Sequence, residues 1–102
     1  MPVSGPDPSY RDAIAHRLKT AFKDYASYDA FEISDPRWVH SVHGWSWITC
    51  VRFVDHGRRR TYALFHKATG IIDARYAVLT DDCDTPPYAP FEQLTGGLEP
   101  LH

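Results

Sequence analysis

The chain has 102 residues, which suits one domain, and 43% hydrophobic with 24% charged residues is ordinary for a globular protein. A net charge of −2, with no Walker loop, GxGxxG or HExxH motif, leads us to expect no nucleic-acid partner and no cofactor. No apolar run approaches the roughly 18 residues that a membrane helix needs, so no membrane span is expected.

The N-terminal region predicts a lead-in followed by a helix. Residues 1–7 contain Pro and Gly and are typical of a flexible segment. Asp7-Pro8 resembles a helix start, with Asp as N-cap and Pro at the first helical position. Apolar residues at three- and four-residue spacing then predict an amphipathic helix from Pro8 to about Ser27. The stripe consists of Tyr10, Ile14, Leu18, Ala21, Phe22 and Tyr25.

The rest of the chain predicts strands joined by short turns, which favours antiparallel neighbours. Residues 37–43 are ambiguous. The predicted strands are Phe31–Ile33 as a short edge strand ended by Asp35-Pro36, Gly44–Asp55, Arg60–Lys67 and Ile71–Leu79. The predicted turns are His56-Gly57-Arg58 and Ala68-Thr69-Gly70.

The alternation of side chains predicts two unequal sheet faces. The face toward the helix is expected to carry Trp45, Trp47, Val51, Phe53, Tyr62, Leu64, Ile72, Ala74, Tyr76 and Val78. The other face is mixed, and we expect a strap from Asp84 to Leu94 to cross it with Tyr88, Phe91 and Leu94. The predicted fold is α+β, a helix on a curved antiparallel sheet of three to four strands, cystatin-like. Residues 8–94 form this domain, and residues 95–102 are expected to be a flexible tail.

The charges are segregated along the chain. Basic residues dominate from Arg37 to Arg75, whereas no Lys or Arg follows Tyr76. The simpler interpretation is that the acidic tail folds back on the basic middle; the alternative is an outside acidic partner.

Several short motifs together resemble a group of small exported proteins and lipoproteins of rhizobia-like alphaproteobacteria that has no assigned activity. The motifs are Lys23-Asp24, Phe31–Ser34, Gly44-Trp45, Cys50-Val51-Arg52, Thr61–Phe65, Gly70–Asp73, Cys83 and Tyr88–Phe91. The resemblance implies a periplasmic location and a cysteine pair, and it implies no catalytic residue.

Cys50 and Cys83 are expected to form a disulfide. The resemblance implies the pair, and the predicted strap would carry Cys83 over the strand that contains Cys50. The alternative is two free thiols in a reducing cytosol. Because residues 1–6 show neither a charged nor an apolar leader region, we expect either a mature exported form without its leader or a cytoplasmic protein.

Few other residues point to a site. Trp38 beside Arg37, in the ambiguous segment, is typical of a binding hot spot, and Arg58-Arg59-Arg60 at a hairpin tip is a weaker binding candidate. His40 and His43 are weak metal candidates, and Asp81-Asp82 with Asp84 is expected to be a solvated loop.

Two functions follow. The favoured one is a non-enzymatic exported module that binds a protein or an envelope component. The alternative is a small hydrolase or metal-dependent enzyme that uses His40, His43 and a carboxylate.

Overall fold

A computed structural model describes residues 9–23, 25–42, 44–68 and 70–91. One α-helix packs on an antiparallel sheet in this part of the chain. The elements are α1 (Tyr10–Ala21), β1 (Asp29–Ser34), β2 (Arg37–Ser41), β3 (Gly44–Asp55), β4 (Arg58–Lys67), β5 (Gly70–Tyr76) and β6 (Tyr88–Pro90), with short 3₁₀ turns at Tyr25–Ser27 and Leu79–Asp81.

The helix is shorter than predicted, because it ends at Ala21 and not near Ser27. The backbone of Phe22 is extended, with φ −114° and ψ 99°. This turn brings the Phe22 ring to 5.4 Å from the ring of Phe53 and 5.0 Å from that of Tyr62. Aromatic packing against the sheet therefore ends the α-helix early, and only the 3₁₀ turn at Tyr25–Ser27 follows it in the predicted range. The predicted start at Asp7-Pro8 lies outside the described residues.

The prediction of a cystatin-like fold with three to four strands is wrong. Within the described ranges the sheet has six strands in the order β5-β4-β3-β1-β6, and β2 pairs separately with β3. The segment that looked ambiguous forms β2, and part of the predicted strap forms β6. Since β6 pairs with β1, the segment Phe31–Ile33 lies inside the sheet and is not the predicted edge strand.

The hairpin between β3 and β4 turns where the sequence predicts it. His56 has φ 52° and Gly57 has φ 83°, the pair of positive angles that a type I′ turn requires. β5 ends at Tyr76, earlier than the predicted Leu79. The pairing of β5 with β4 shifts register between Phe65 and His66. Ile71 therefore packs against the core, whereas Ile72 is 37% exposed.

Two apolar clusters hold the sheet, one on each face. The cluster beneath the helix contains Ile14, Ala15, Leu18, Phe31, Ile33, Val51, Phe53, Leu64 and Phe91. The cluster on the opposite face contains Ile48, Cys50, Ala63, Phe65 and Cys83, with Tyr88 packed against it. The predicted strap thus covers the second face with Cys83 and Tyr88. Phe91, however, belongs to the core under the helix, and Leu94 lies outside the described residues.

Candidate binding surface on the β2–β3 hairpin

Aromatic side chains gather on one face of the hairpin that β2 and β3 form. Its register places Trp38 opposite Trp47 and His40 opposite Trp45. The Trp38 and Trp45 rings are stacked with centroids 6.0 Å apart, and Trp47 meets Trp38 edge-on at 5.2 Å. The His40 ring lies 5.1 Å from that of Trp45. We call these four residues the tryptophan surface.

The tryptophan surface is partly open to solvent. Trp45 is 54% exposed, and Trp38 and Trp47 are half-buried. Trp45 and Trp47 lie on the helix-facing side of β3 with Val51 and Phe53, as predicted, but neither is part of the core beneath the helix. Trp38 lies in a regular strand and not in an irregular segment. That Trp38 is a binding residue stays a prediction.

Arg37 holds the hairpin from the opposite face. Its Nη2 atom donates to the carbonyl oxygen of Asp81 at 2.7 Å and to that of Asp82 at 3.0 Å. Its Nη1 atom lies 3.5 Å from a carboxylate oxygen of Asp82. Arg37 therefore connects β2 to the 3₁₀ turn at Leu79–Asp81, and its charge is directed away from the tryptophan surface.

Asp81 is a buried acid and not the solvated loop residue that the sequence suggested. It is 5% exposed, and one carboxylate oxygen lies 2.7 Å from Nη2 of Arg75. The other accepts the backbone N–H of Val78 at 3.0 Å. The hydrogen bond to Asp81 raises the pKa of Arg75 above its usual value. Asp81 and Asp82 therefore pair with Arg75 and Arg37 of the basic middle, as predicted, whereas the acidic residues after Phe91 lie outside the described residues.

The arginines at the start of β4 lie at the far end of the sheet. Asp55 pairs with Arg58 beside the type I′ turn, whereas Trp47 pairs with His66 at the other end of the β3–β4 ladder. Arg58 and Arg59 are exposed. The structure therefore does not bring these arginines together with Trp38, and Arg60 lies 3.7 Å from a carboxylate oxygen of Asp55.

The two histidines predicted as metal candidates do not both fall within the described residues. His40 is exposed and contacts Trp45, and His43 lies outside the described residues. Across residues 9–23, 25–42, 44–68 and 70–91, no group of three His, Cys, Asp or Glu side chains is placed to hold a metal ion. The metal-dependent enzyme stays a prediction.

A buried histidine went unnoticed in the sequence. His66 is 2% exposed, and its Nε2 atom lies 2.7 Å from Oγ1 of Thr49. Burial lowers the pKa of His66 from 6.5 to about 4. Its ring borders a cavity of about 220 Å³ between the start of α1 and the β4–β5 turn. Alternation along β4 places His66 on the helix-facing side with Tyr62 and Leu64, where its ring stacks on that of Tyr10.

The cysteines form the predicted disulfide. Cys50 and Cys83 are bonded with their Cα atoms 5.8 Å apart. Disulfides form and persist in oxidising compartments, so this bond favours a location outside the cytoplasm.

Comparison of the chain with protein-family models, with curated proteins and with solved structures found no match. No helix in the described part of the chain is long and apolar enough to cross a membrane.

Proposed function

We propose that the protein is a non-enzymatic binding module that docks a protein partner in the periplasm through its tryptophan surface. The observation that carries this proposal is the exposure of Trp45, 54% of which is open to solvent while its ring stacks on that of Trp38. Large aromatic side chains that remain exposed beside other aromatics are typical of protein-binding hot spots.

The contacts that hold the tryptophan surface in place favour a role in binding. Trp38 is held between Trp45 and Trp47, and Arg37 anchors the same strand from the other face. Side chains that are already ordered before binding lose less conformational entropy when a partner arrives. A hairpin whose indole rings already pack on one another therefore supports a preformed docking site.

The periplasm is proposed on two grounds. The disulfide is typical of oxidising compartments. The sequence motifs resemble exported bacterial proteins. Together they favour a partner in the cell envelope.

The test is capture of a partner from an envelope extract by the purified domain and two variants. We expect Trp45→Ala to lose the partner, since it removes the most exposed indole. Leu79→Ala is the matched control, because Leu79 is 94% exposed but lies outside the tryptophan surface. A partner that is retained equally by both variants would contradict the proposal. The captured protein should then be titrated directly against the same three proteins.

A further inference from the structure

The sheet has three outer strands over the described residues, and two of them are protected against pairing with another strand. β6 has three residues, ends at Pro90 and follows Pro87, and proline has no N–H to donate. On β5 the outward N–H of Ala74 is already bound by the carboxylate of Asp73 at 2.9 Å. Short edges, prolines and inward charges are the usual devices that block edge-to-edge association.

β2 is preceded by Pro36 and begins with Arg37, but its middle has none of these devices. Its central residues Trp38, Val39 and His40 include no proline, lysine or carboxylate. It pairs with β3 on one side, and no described strand pairs with its other side. An uncharged edge of this kind is a template for pairing with another chain.

The register identifies the groups that β2 presents at this edge. Asp55 and Arg58 flank a two-residue turn and are therefore a hydrogen-bonded pair. The backbone N–H and C=O groups of odd-numbered β3 residues thus point toward β4, and those of even-numbered residues point toward β1 and β2. The N–H of Cys50 follows this rule, because it donates to Oγ of Ser34 on β1 at 2.9 Å.

The same alternation applies to β2. Val39 lies opposite Ser46, an even-numbered residue of β3, so the backbone groups of Val39 face β3. Those of Trp38 and His40 therefore point outward, toward the unpaired side.

From this arrangement we infer that the occupant of the β2 edge is a second copy of the chain, paired antiparallel about a two-fold axis at Val39. In this register Trp38 of each copy exchanges hydrogen bonds with His40 of the other, and the two Val39 residues lie directly opposite each other. Arg37 meets Ser41, so no like charges face each other. A surface that complements itself in this way is what a two-fold dimer requires.

The dimer would join the two tryptophan surfaces into one continuous aromatic face, because opposite residues of an antiparallel pair lie on the same side of the sheet. The inference extends the proposed function, since the joined face would be the docking site. The partner would approach the face of the sheet, whereas the second copy occupies its edge. Both contacts can therefore exist together.

The test is the oligomeric state of the full chain by sedimentation equilibrium, with a charge exchange at Val39. We expect wild type to dimerise, and Val39→Lys and Val39→Glu to be monomers, because each places two like charges opposite each other. An equimolar mixture of the two variants should restore a dimer that contains one of each. Thermal melts check that both variants fold.

His40→Pro provides a second test that leaves the β2–β3 ladder intact, since the N–H of His40 points outward; it should also weaken the dimer. A monomeric wild type, or a dimer that tolerates all three variants, would overturn the inference. Partner capture distinguishes the two proposals: a monomer that still captures its partner through Trp45 overturns the dimer alone.

Discussion

The imidazole of His66 lies against the phenol ring of Tyr10, with centroids 5.4 Å apart and planes 3° from parallel. The same imidazole is buried and hydrogen-bonded to the hydroxyl of Thr49. A charged imidazolium would lose its hydration here, so burial lowers the pKa of His66 to about 4. The folded protein therefore holds this side chain neutral at neutral pH.

Stability is expected to fall as the pH is lowered. The pKa of His66 is 6.5 in the unfolded chain and about 4 in the folded protein, so between these values the unfolded state binds more protons. The contribution of His66 to stability should thus be complete above pH 6.5. The free energy of unfolding should fall by about 3 kcal/mol between pH 6.5 and pH 4. Urea unfolding at a series of pH values measures this loss.

Two variants separate this effect from the titration of carboxylates. His66→Gln should be less stable at neutral pH but should show a shallower loss between pH 6.5 and 4. His40→Gln, which replaces an exposed histidine, is the matched control. Equal slopes for wild type and His66→Gln would show that other groups carry the pH dependence.

Leu18 anchors the helix to the sheet. It is 1% exposed and belongs to the core beneath α1. Leu18→Ala should lower the free energy of unfolding by about 2–5 kcal/mol, the usual range for a large-to-small change in a core. His16→Ala, on the exposed face of the same helix, should change it by about 0.5 kcal/mol or less. Similar denaturation midpoints for Leu18→Ala and His16→Ala would show that Leu18 does not contribute to the core.

Asp81 should be far more important for stability than its acidic neighbour Asp84. Asp81→Ala leaves the Arg75 guanidinium without its closest carboxylate and the Val78 N–H without its acceptor. We expect a loss of about 1–3 kcal/mol, since Arg75 is half-exposed and can regain water. Asp84 is exposed, and Asp84→Ala should be nearly neutral. Chemical denaturation compares them, and equal losses would show that the ion pair contributes little.

The parts of the fold that the sequence predicted are those with strong local signals. The bounds of Gly44–Asp55 were correct because β-branched and aromatic residues fill the strand and a Gly-containing turn ends it. The end of the helix was wrong because the apolar spacing continues through Phe22, whose ring instead packs on Phe53.

Tertiary pairing explains the other errors. β6 is only three residues long and contains a proline, so no local pattern predicts it, and it forms because β1 offers an edge. At the candidate site, the sequence singled out Trp38 because it is a large aromatic residue beside Arg37. Its contacts with Trp45 and Trp47 depend on the hairpin register, which the ambiguous segment did not reveal.

The disulfide should account for a large part of the stability. It closes a loop between residues separated by 33 positions, which corresponds to about 3–4 kcal/mol in the chain-entropy account. In the double variant Cys50→Ala with Cys83→Ala, the free energy of unfolding should be lower than in wild type by that amount. Urea denaturation measures this difference. Mass spectrometry of the unreduced wild type should show two hydrogens fewer than the reduced form. Alkylation of both sulfurs in denaturant without reductant would contradict the bond and the location that it favours.

The tryptophans of the hairpin should differ in what they contribute. Trp38 is packed between Trp45 and Trp47, so Trp38→Ala should remove packing as well as a contact surface. Trp45 stacks on one side and is 54% exposed. Its replacement by Ala should change the melting temperature little while weakening a partner complex by at least about 1 kcal/mol, the threshold for an interface residue that matters.

Paired measurements test this difference between binding and folding. Thermal melts give the stability of each variant, and calorimetric titration with the captured partner gives its affinity. We expect Trp38→Ala to lose both stability and affinity, and Trp45→Ala to lose affinity alone. If Trp45→Ala unfolds at a lower temperature and its folded form binds as wild type does, then Trp45 supports the hairpin. The tryptophan surface would in that case be a packing feature, and the docking site would have to be sought elsewhere on the domain.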